Sequence, residues 1–253
     1  MNHDDPFSLK DKRILVTGAS SGIGREVAIM CAQMGAQLVL TGRDVARLDA
    51  TAGELHGDCH SLVAADLSDA DGIDRVVAEA GVVDGVVHAA GISRLAPFRM
   101  ISKSHVDEIF DSNTYAPLLL TKGLLSKKKI AQNGSILFIS AVASHIGPLA
   151  STAYSSSKAA LLGAMRSLAL EVAKQGIRAN CIVPGYVRTP MLDGLGGADG
   201  NLAEHIALAP LGLGEPQDVA AAAVFYLADA SRWITRNYFI VDAGLTVGMD
   251  IYA

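Results

Sequence analysis

Short apolar runs alternate along this chain with helix-like stretches: Arg13 to Val16, Gln37 to Thr41, His60 to Ala64, Gly85 to His88, Ser135 to Ser140, Arg178 to Val183 and Tyr238 to Val241. No other feature limits the fold as much. Strands separated by helical crossovers pair in parallel, and a parallel sheet needs helices on both faces. The alternation predicts a doubly wound α/β architecture with a seven-stranded parallel sheet, and a ligand crevice outside the carboxyl ends of the strands. Gly35 and Gly176 each fall between a helical run and the next strand, where a left-handed residue ends a helix. With 253 residues, 50% of them apolar, and no linker-like stretch, one domain over 1–253 is expected.

Between the first run and the next helix lies Thr17-Gly18-Ala19-Ser20-Ser21-Gly22-Ile23-Gly24. Glycines let a turn tighten and let the backbone approach a pyrophosphate closely. The helix N-terminus adds unpaired N–H groups and positive dipole. A strand before and a helix after are the context in which such a turn binds a dinucleotide, so Gly18, Gly22 and Gly24 become candidates.

At the head of a long helical run, Ala153-Tyr154-Ser155-Ser156-Ser157-Lys158 sets a phenol and an ammonium four residues apart on one face. A cation beside a tyrosine stabilises the phenolate and lowers its pKa from roughly 10, toward proton transfer near neutral pH. By itself the spacing fits an exposed helix surface equally well. The glycine turn upstream gives it weight.

The two segments together resemble the short-chain dehydrogenase/reductase family, whose Thr-Gly-x-x-x-Gly-x-Gly and Tyr-x-x-x-Lys motifs are both intact here. The likeness covers nearly the whole chain and is similar in kind to the 3-oxoacyl-(acyl carrier protein) reductases. It extends to Asp66-Leu67 after the third strand, His88-Ala89-Ala90-Gly91 where the family usually has Asn-Asn-Ala-Gly, Asn113, Pro184-Gly185 and Val241-Asp242-Ala243-Gly244. The resemblance implies a Rossmann-like fold and hydride transfer between a nicotinamide cofactor and a ketone or secondary alcohol. It also implies roles: Tyr154 exchanges the proton on the substrate oxygen, Lys158 holds the nicotinamide ribose, and Asn113 positions a water in the proton relay. Ser20, Ser21 and Ile23 would join the glycines around the cofactor. Asp66 and Leu67 would meet the adenine, with Ala89, Ala90, Gly91, Pro184, Gly185, Val187 and Thr189 completing that surface. Relatives form dimers and tetramers through the helices carrying Asn113 and Tyr154, so a homo-oligomer is expected, with Ala159, Ala160, Gly163 and Ala164 allowing close packing.

One position departs from the pattern. The family ends its fifth strand in a serine whose hydroxyl orients the substrate carbonyl; alignment through Gly147 and Tyr154 puts Ala141 there, with Ser140 one residue early. A one-residue offset at a strand end turns a side chain toward the opposite face. A lost preorganised hydrogen bond to the reacting oxygen costs about 3 kcal/mol, or 10² to 10³ in rate. Weak activity is therefore expected. Three accounts stay open: a Ser→Ala substitution made to trap a complex, a local shift that lets Ser140 or Ser144 serve, and a natural loss of strong catalysis. Retention of the other motifs favours the first. The substrate side would be lined by Ala141, Val142, Ser144, His145, Ile146 and Tyr186, under a glycine-rich lid at about 189–214, with His145 and Arg94 favouring an anionic or hydroxylated substrate.

Cofactor choice turns on Thr41-Gly42-Arg43-Asp44 after the second strand. A carboxylate there would bind a ribose 2′-hydroxyl, whereas an arginine suits a 2′-phosphate. Arg43, with Asp44 read as a helix cap, favours NADP(H) over NAD(H). The net charge of −5 gives no reason to expect a nucleic-acid partner, and Lys127-Lys128-Lys129 reads as a solvated helix end. The opening Met1-Asn2-His3-Asp4-Asp5-Pro6 lacks the features of a secretory signal, and no apolar run reaches spanning length, so no membrane partner and a cytoplasmic location are expected. Cys31, Cys59 and Cys181 are few and scattered, which fits buried thiols in a reducing compartment and no metal site. The rival reading is a nucleotide-binding sensor or scaffold with little turnover; it leaves Tyr154, Lys158 and Asn113 without purpose.

Overall fold

The computed structural model describes residues 5–194 and 202–248. Its strands are β1 Arg13–Thr17, β2 Gln37–Gly42, β3 Ser61–Ala64, β4 Val83–His88, β5 Ile130–Ile139, β6 Arg178–Pro184 and β7 Tyr238–Val241. They form one seven-stranded sheet in the order β3-β2-β1-β4-β5-β6-β7, with every pairing parallel. This is the predicted α/β Rossmann-like arrangement. The strand order reverses between β1 and β4, which opens a crevice beyond their carboxyl ends.

Side-chain alternation explains why both faces are covered. Ile14 and Val16 of β1 pack into one core with Val27 and Ala28 of helix α1 (Gly22–Gln33) and Val219 and Ala223 of α10 (Pro216–Leu227). Leu15 points the other way. It joins Val76 of α3 (Ala70–Glu79), Leu120 of α5 (Ala116–Ser126), and Leu161 and Met165 of α7 (Thr152–Val172). The same division recurs in β5, where Leu137 and Ile139 face the first core and Ile136 and Phe138 the second. Each fully buried aliphatic side chain contributes on the order of 2 kcal/mol by leaving water, so the two cores fix the sheet between its helices.

Several strand ends differ from the sequence expectation by one or two residues, and the start of β5 by more. β5 starts at Ile130, five residues ahead of Ser135, because Ile130 pairs with Val83 before an irregularity in register; the exposed Gln132 and Asn133 conceal that start in the sequence. His60 stays outside β3 because its Nδ1 accepts the Leu38 N–H at 3.1 Å, replacing a ladder bond with a side-chain one. Gly35 and Gly176 do take positive φ, +94° and +69°, at helix ends as expected. Among the cysteines, Cys31 and Cys181 are buried, but Cys59 is exposed: it lies in the loop before β3, outside either core.

Candidate active site

The glycine turn joins β1 to α1 in a backbone shape few residues can adopt. Gly18 has φ +66°, and a Cβ there would sit 2.8 Å from the Ala90 backbone; one on Gly24 would meet the Gly18 carbonyl oxygen at 2.4 Å. Thr17, which sequence reasoning passed over, fixes the opposing loop, since its Oγ1 accepts the N–H groups of both Ala89 and Ala90 at 3.1 Å. The result is a cleft of about 440 Å³ bordered by Gly18, Ser20, Ser21, Gly22, Ile23 and Gly24 on one side and Ala89, Ala90 and Gly91 on the other. Arg43, Asp66, Leu67 and Thr189 extend the same cleft. These are the positions expected to hold a dinucleotide, and the glycine cradle, which side chains would fill, fits that group.

At the far end of this cleft, Asp44 caps α2 (Val45–Ala52), its Oδ1 accepting the Arg47 N–H at 3.0 Å. Its other oxygen accepts from Arg47 Nε at 2.6 Å. Asp44 is thereby committed to the helix end. Arg43 Nη1 lies 3.9 Å from Asp66 Oδ2. Against the upward push of burial, the Ser68 N–H and hydroxyl, together with Arg43, hold the Asp66 carboxyl below the usual carboxylate range. Arg47 and Ser68 also border this cleft and were missed in sequence. Arg94 belongs to this cleft and pairs with Glu108 at 2.7 Å, so it is not at the substrate end where it was expected.

A second, smaller cleft of about 140 Å³ adjoins the first through Ile23, Ala89, Gly91, Thr189 and Met191. Tyr154, Lys158, Ser140, Ala141, Val142, Pro184, Gly185, Tyr186 and Val187 line it. The helix spacing of Tyr154 and Lys158 thus delivers both side chains to one cavity. Their electrostatics differ from the expectation. Lys158 Nζ donates to the Ile139 carbonyl at 2.9 Å, and burial lowers its pKa to about 8. Burial also pushes the Tyr154 phenol up to about 12. The cation therefore does not lower the phenol's pKa in this structure; desolvation acts on both groups and favours their neutral forms.

Asn113 lies behind this cavity wall, not on it. It sits in a π-type turn, Asp111–Tyr115, between α4 (Lys103–Phe110) and α5. Such a turn redirects side chains within an otherwise continuous helix. The Asn113 amide clamps one residue from both sides: Oδ1 accepts the Ile92 N–H at 2.8 Å and Nδ2 donates to the Ile92 carbonyl at 2.9 Å. Nδ2 also donates to Ser157 Oγ at 3.0 Å, linking the turn to α7. Gly91 has no room for a side chain, because a Cβ would meet Asn113 Oδ1 at 2.9 Å and Lys158 Nζ at 3.3 Å.

Ser140 and Ala141 both border the small cleft, yet their hydrogen bonding separates them. The Ser140 hydroxyl donates to the Lys158 carbonyl at 2.9 Å, which ties β5 to α7. Ser144 Oγ donates to the Ala141 carbonyl at 2.7 Å. Each hydroxyl is engaged with backbone, although Ser140 borders the same cleft as Ala141 and is not turned away from it as the one-residue offset predicted. His145 does not line the cleft: it is exposed, beside Ser144 Oγ and tilted against Tyr238 at 5.4 Å between ring centroids. Its place one residue along the short helix α6 (Ala143–Ile146) turns it outward. His88, in place of the family asparagine, is a packed polar residue, bonded through Nε2 to Thr121 Oγ1 at 2.8 Å and stacked on Phe138.

The expected lid begins and ends in a closed neck. Val187 and Gly214 form a parallel bridge, with Arg188 N donating to Gly214 O and Gly214 N to Tyr186 O. Helices α8 (Pro190–Asp193) and α9 (Leu202–Ala207) follow from this neck, and the glycines at 196, 197 and 200 lie outside the described residues. Among the described residues no cluster of His, Cys, Asp and Glu could hold a metal ion, and no helix is long and apolar enough to cross a membrane.

Fold and site together define a dinucleotide-binding oxidoreductase. A family model described as Enoyl-(Acyl carrier protein) reductase matches residues 18–246. The chain is 35% identical to Oxidoreductase UcpA of Salmonella typhimurium, over 94% of this chain and 96% of that protein. It is 32% identical to Galactitol 2-dehydrogenase (L-tagatose-forming) of Cereibacter sphaeroides, over 98% and 100%. A Beutenbergia cavernae structure holding NADP at low occupancy, provisionally described as an NAD(P) dependent gluconate 5-dehydrogenase, superposes with a TM-score of 0.86 at 32% identity, covering 96% of this chain and 100% of that one. The chain belongs to the short-chain dehydrogenase/reductase family. It is an NAD(P)-dependent oxidoreductase acting on an alcohol or ketone.

Proposed function

We propose that this protein is an NADP(H)-preferring ketone reductase or secondary-alcohol dehydrogenase in which Tyr154 is the general acid/base and Ala141 slows turnover. The observation that carries the reading is the convergence of Tyr154, Lys158 and Ala141 on one small cleft continuous with the glycine cradle. Bound in the larger cleft, the nicotinamide cofactor supplies or accepts the hydride. The chain's own residues do the rest. Gly18, Ser20, Ser21, Gly22, Ile23 and Gly24 offer backbone and hydroxyl donors to its phosphates. Thr41 leaves the β2 end without a carboxylate, and Arg43 and Arg47 border the region expected to meet a 2′-phosphate.

In reduction, Tyr154 donates its proton to the substrate oxygen as negative charge develops there, and accepts it in the reverse direction. The neutral phenol carries the proton that reduction consumes, while burial alone makes it a weaker acid, so its donation relies on the negative charge developing on the substrate oxygen; Lys158, near pKa 8, changes charge close to working pH. Asn113 acts from behind the wall by holding Ile92 and the π-type turn in register with α7. Thr189, Met191 and Leu192, at the start of the lid expected at about 189–214, line the small cleft and would meet the substrate there. Exposed Tyr115, Leu119 and Gly163 on the helices carrying Asn113 and Tyr154 supply surface for a dimer or tetramer, read by gel filtration with light scattering.

The small cleft, with Val142 and Pro148 beside Tyr154 and Tyr186, would take a small ketone, and the likeness to galactitol and gluconate dehydrogenases puts sugar-type ketones first in the panel to assay. Oxidation of NADPH with that panel tests the activity. Ala141→Ser is expected to raise kcat by up to about 10²-fold without changing cofactor affinity. No gain in rate would remove the proposed role of position 141.

A further inference from the structure

The sequence expectation of an anionic substrate rested on two basic side chains, His145 and Arg94, and neither lines the small cleft. Arg94 borders the larger cleft and pairs with Glu108 at 2.7 Å, while His145 is exposed and set against Tyr238. What remains around the substrate end is short of positive charge. Positions that line the small cleft and not the larger one mark the part beyond the cofactor, and Ala141, Val142, Pro148, Tyr154, Tyr186 and Leu192 are among them.

Among the described residues, Lys158 alone brings a charged side chain to this lining. Its Nζ donates to the Ile139 carbonyl at 2.9 Å and lies 3.3 Å from where a Cβ on Gly91 would sit, against a glycine that both clefts share. That cation is thus on the cofactor side. Other cations nearby are spent elsewhere: Arg188, next to Val187, pairs with Glu215 at 2.8 Å, and Arg166 lies over the Tyr238 ring at 5.7 Å. Arg99, on the strap after β4, is exposed and lines neither cleft. The stretch 189–214 adds no lysine or arginine; it has one histidine, His205, against three carboxylates, Asp193, Asp199 and Glu204. An ionised carboxylate taken from water into an apolar cavity is strongly disfavoured unless a cation or several donors meet it, and carboxylates nearby add repulsion.

We propose that the small cleft selects uncharged ketones: it admits a carbonyl whose neighbouring substituents are neutral and rejects keto acids, with Val142, Pro148 and Leu192 forming the selecting wall. This rests on the reading of the cleft as a ketone site and narrows it. Among sugar-type ketones, it favours neutral ketoses over sugar keto acids.

The test compares esters with acids of the same skeleton in NADPH oxidation at pH 7: methyl 3-oxobutanoate with 3-oxobutanoate, and methyl 4-oxopentanoate with 4-oxopentanoate. A compound that is not turned over is scored by its inhibition constant against a ketone that is. Ester is expected to exceed acid by about 10²-fold in kcat/KM, or in the reciprocal inhibition constant, in both pairs. Leu192→Arg, which sets a cation on that wall, is expected to lower the ratio by about tenfold, chiefly through the KM of the acid. Melting temperature reports the fold, and Met191→Lys, at an exposed position lining the same cleft, replaces Leu192→Arg if that variant does not fold. A parent ratio under about tenfold overturns the inference while leaving the ketone reductase intact, and so does a ratio that the introduced cation lowers by less than about threefold. If no ketone, charged or neutral, is reduced, the reading of the site fails and this inference fails with it.

Discussion

The two halves of the crevice are built by different means. Toward β1, β2 and β3 the cleft is shaped by backbone: Gly18 at φ +66° against Ala90, Gly24 against the Gly18 carbonyl, and Thr17 bonded to the N–H groups of Ala89 and Ala90. Toward β5 and β6 the cleft is defined by which side chains reach it, namely Tyr154, Lys158 and Ala141. A backbone-built site tolerates little variation in sequence because each glycine is demanded by geometry. A site built from side chains keeps its shape when one functional group is lost, as at Ala141.

The largest effect that would break this division is expected at Tyr154. Tyr154→Phe should lower kcat by about 10³-fold or more in steady-state assays, within the range for removal of a general acid. NADPH affinity, followed by fluorescence titration, should stay within about twofold, because the cradle that holds the cofactor lies in the other half. Comparable losses in both quantities would mean that the halves are not separable.

Arg43→Asp is the crossed experiment. Reversing this charge should shift the NADPH/NADH ratio of kcat/KM by about 10²-fold toward NADH, since an arginine–phosphate attraction becomes a repulsion. With the better cofactor saturating, kcat should hardly change. An unchanged ratio would assign the 2′ group elsewhere, with Arg47 next in line.

The smallest effect concerns His88, on β4 between the halves. Burial lowers its pKa from 6.5 to about 3, so the folded protein holds it neutral while the unfolded chain protonates below 6.5. Folding stability from this residue is fully present above pH 6.5 and declines as pH falls through the window toward 3. At pH 5.5 the decline is on the order of 1 kcal/mol. Urea unfolding at pH 7.5 and 5.5 should show that much less acid sensitivity in His88→Asn than in the parent; equal sensitivity would show that other groups govern it.

Much of this arrangement was legible before any coordinates. The β1 turn announced itself because glycines at 18, 22 and 24 are the only residues its backbone accepts, and Asp44 was readable as a cap because capping depends on residues three apart. The beginning of β5 was hidden, since Gln132 and Asn133 interrupt its apolar pattern where the strand leaves the core. His145 looked like a substrate contact from its neighbours in sequence, but the turn of α6 directs it at Tyr238. The pKa of Tyr154 also ran against its motif: spacing predicts a cation nearby, whereas the charge state depends on desolvation and on Lys158 finding the Ile139 carbonyl.

Periodicity and local backbone constraints were enough to set the parallel sheet, the glycine turn and the joint placement of Tyr154 and Lys158. Packing between distant segments brings Asn113 across to clamp Ile92 and engages the Ser140 hydroxyl with the Lys158 carbonyl. Those contacts join residues 18 to 21 positions apart in the chain, and no local rule sets such distances. Packing of strands and helices around two cores sets them, and it is there that the chemistry of the small cleft was fixed.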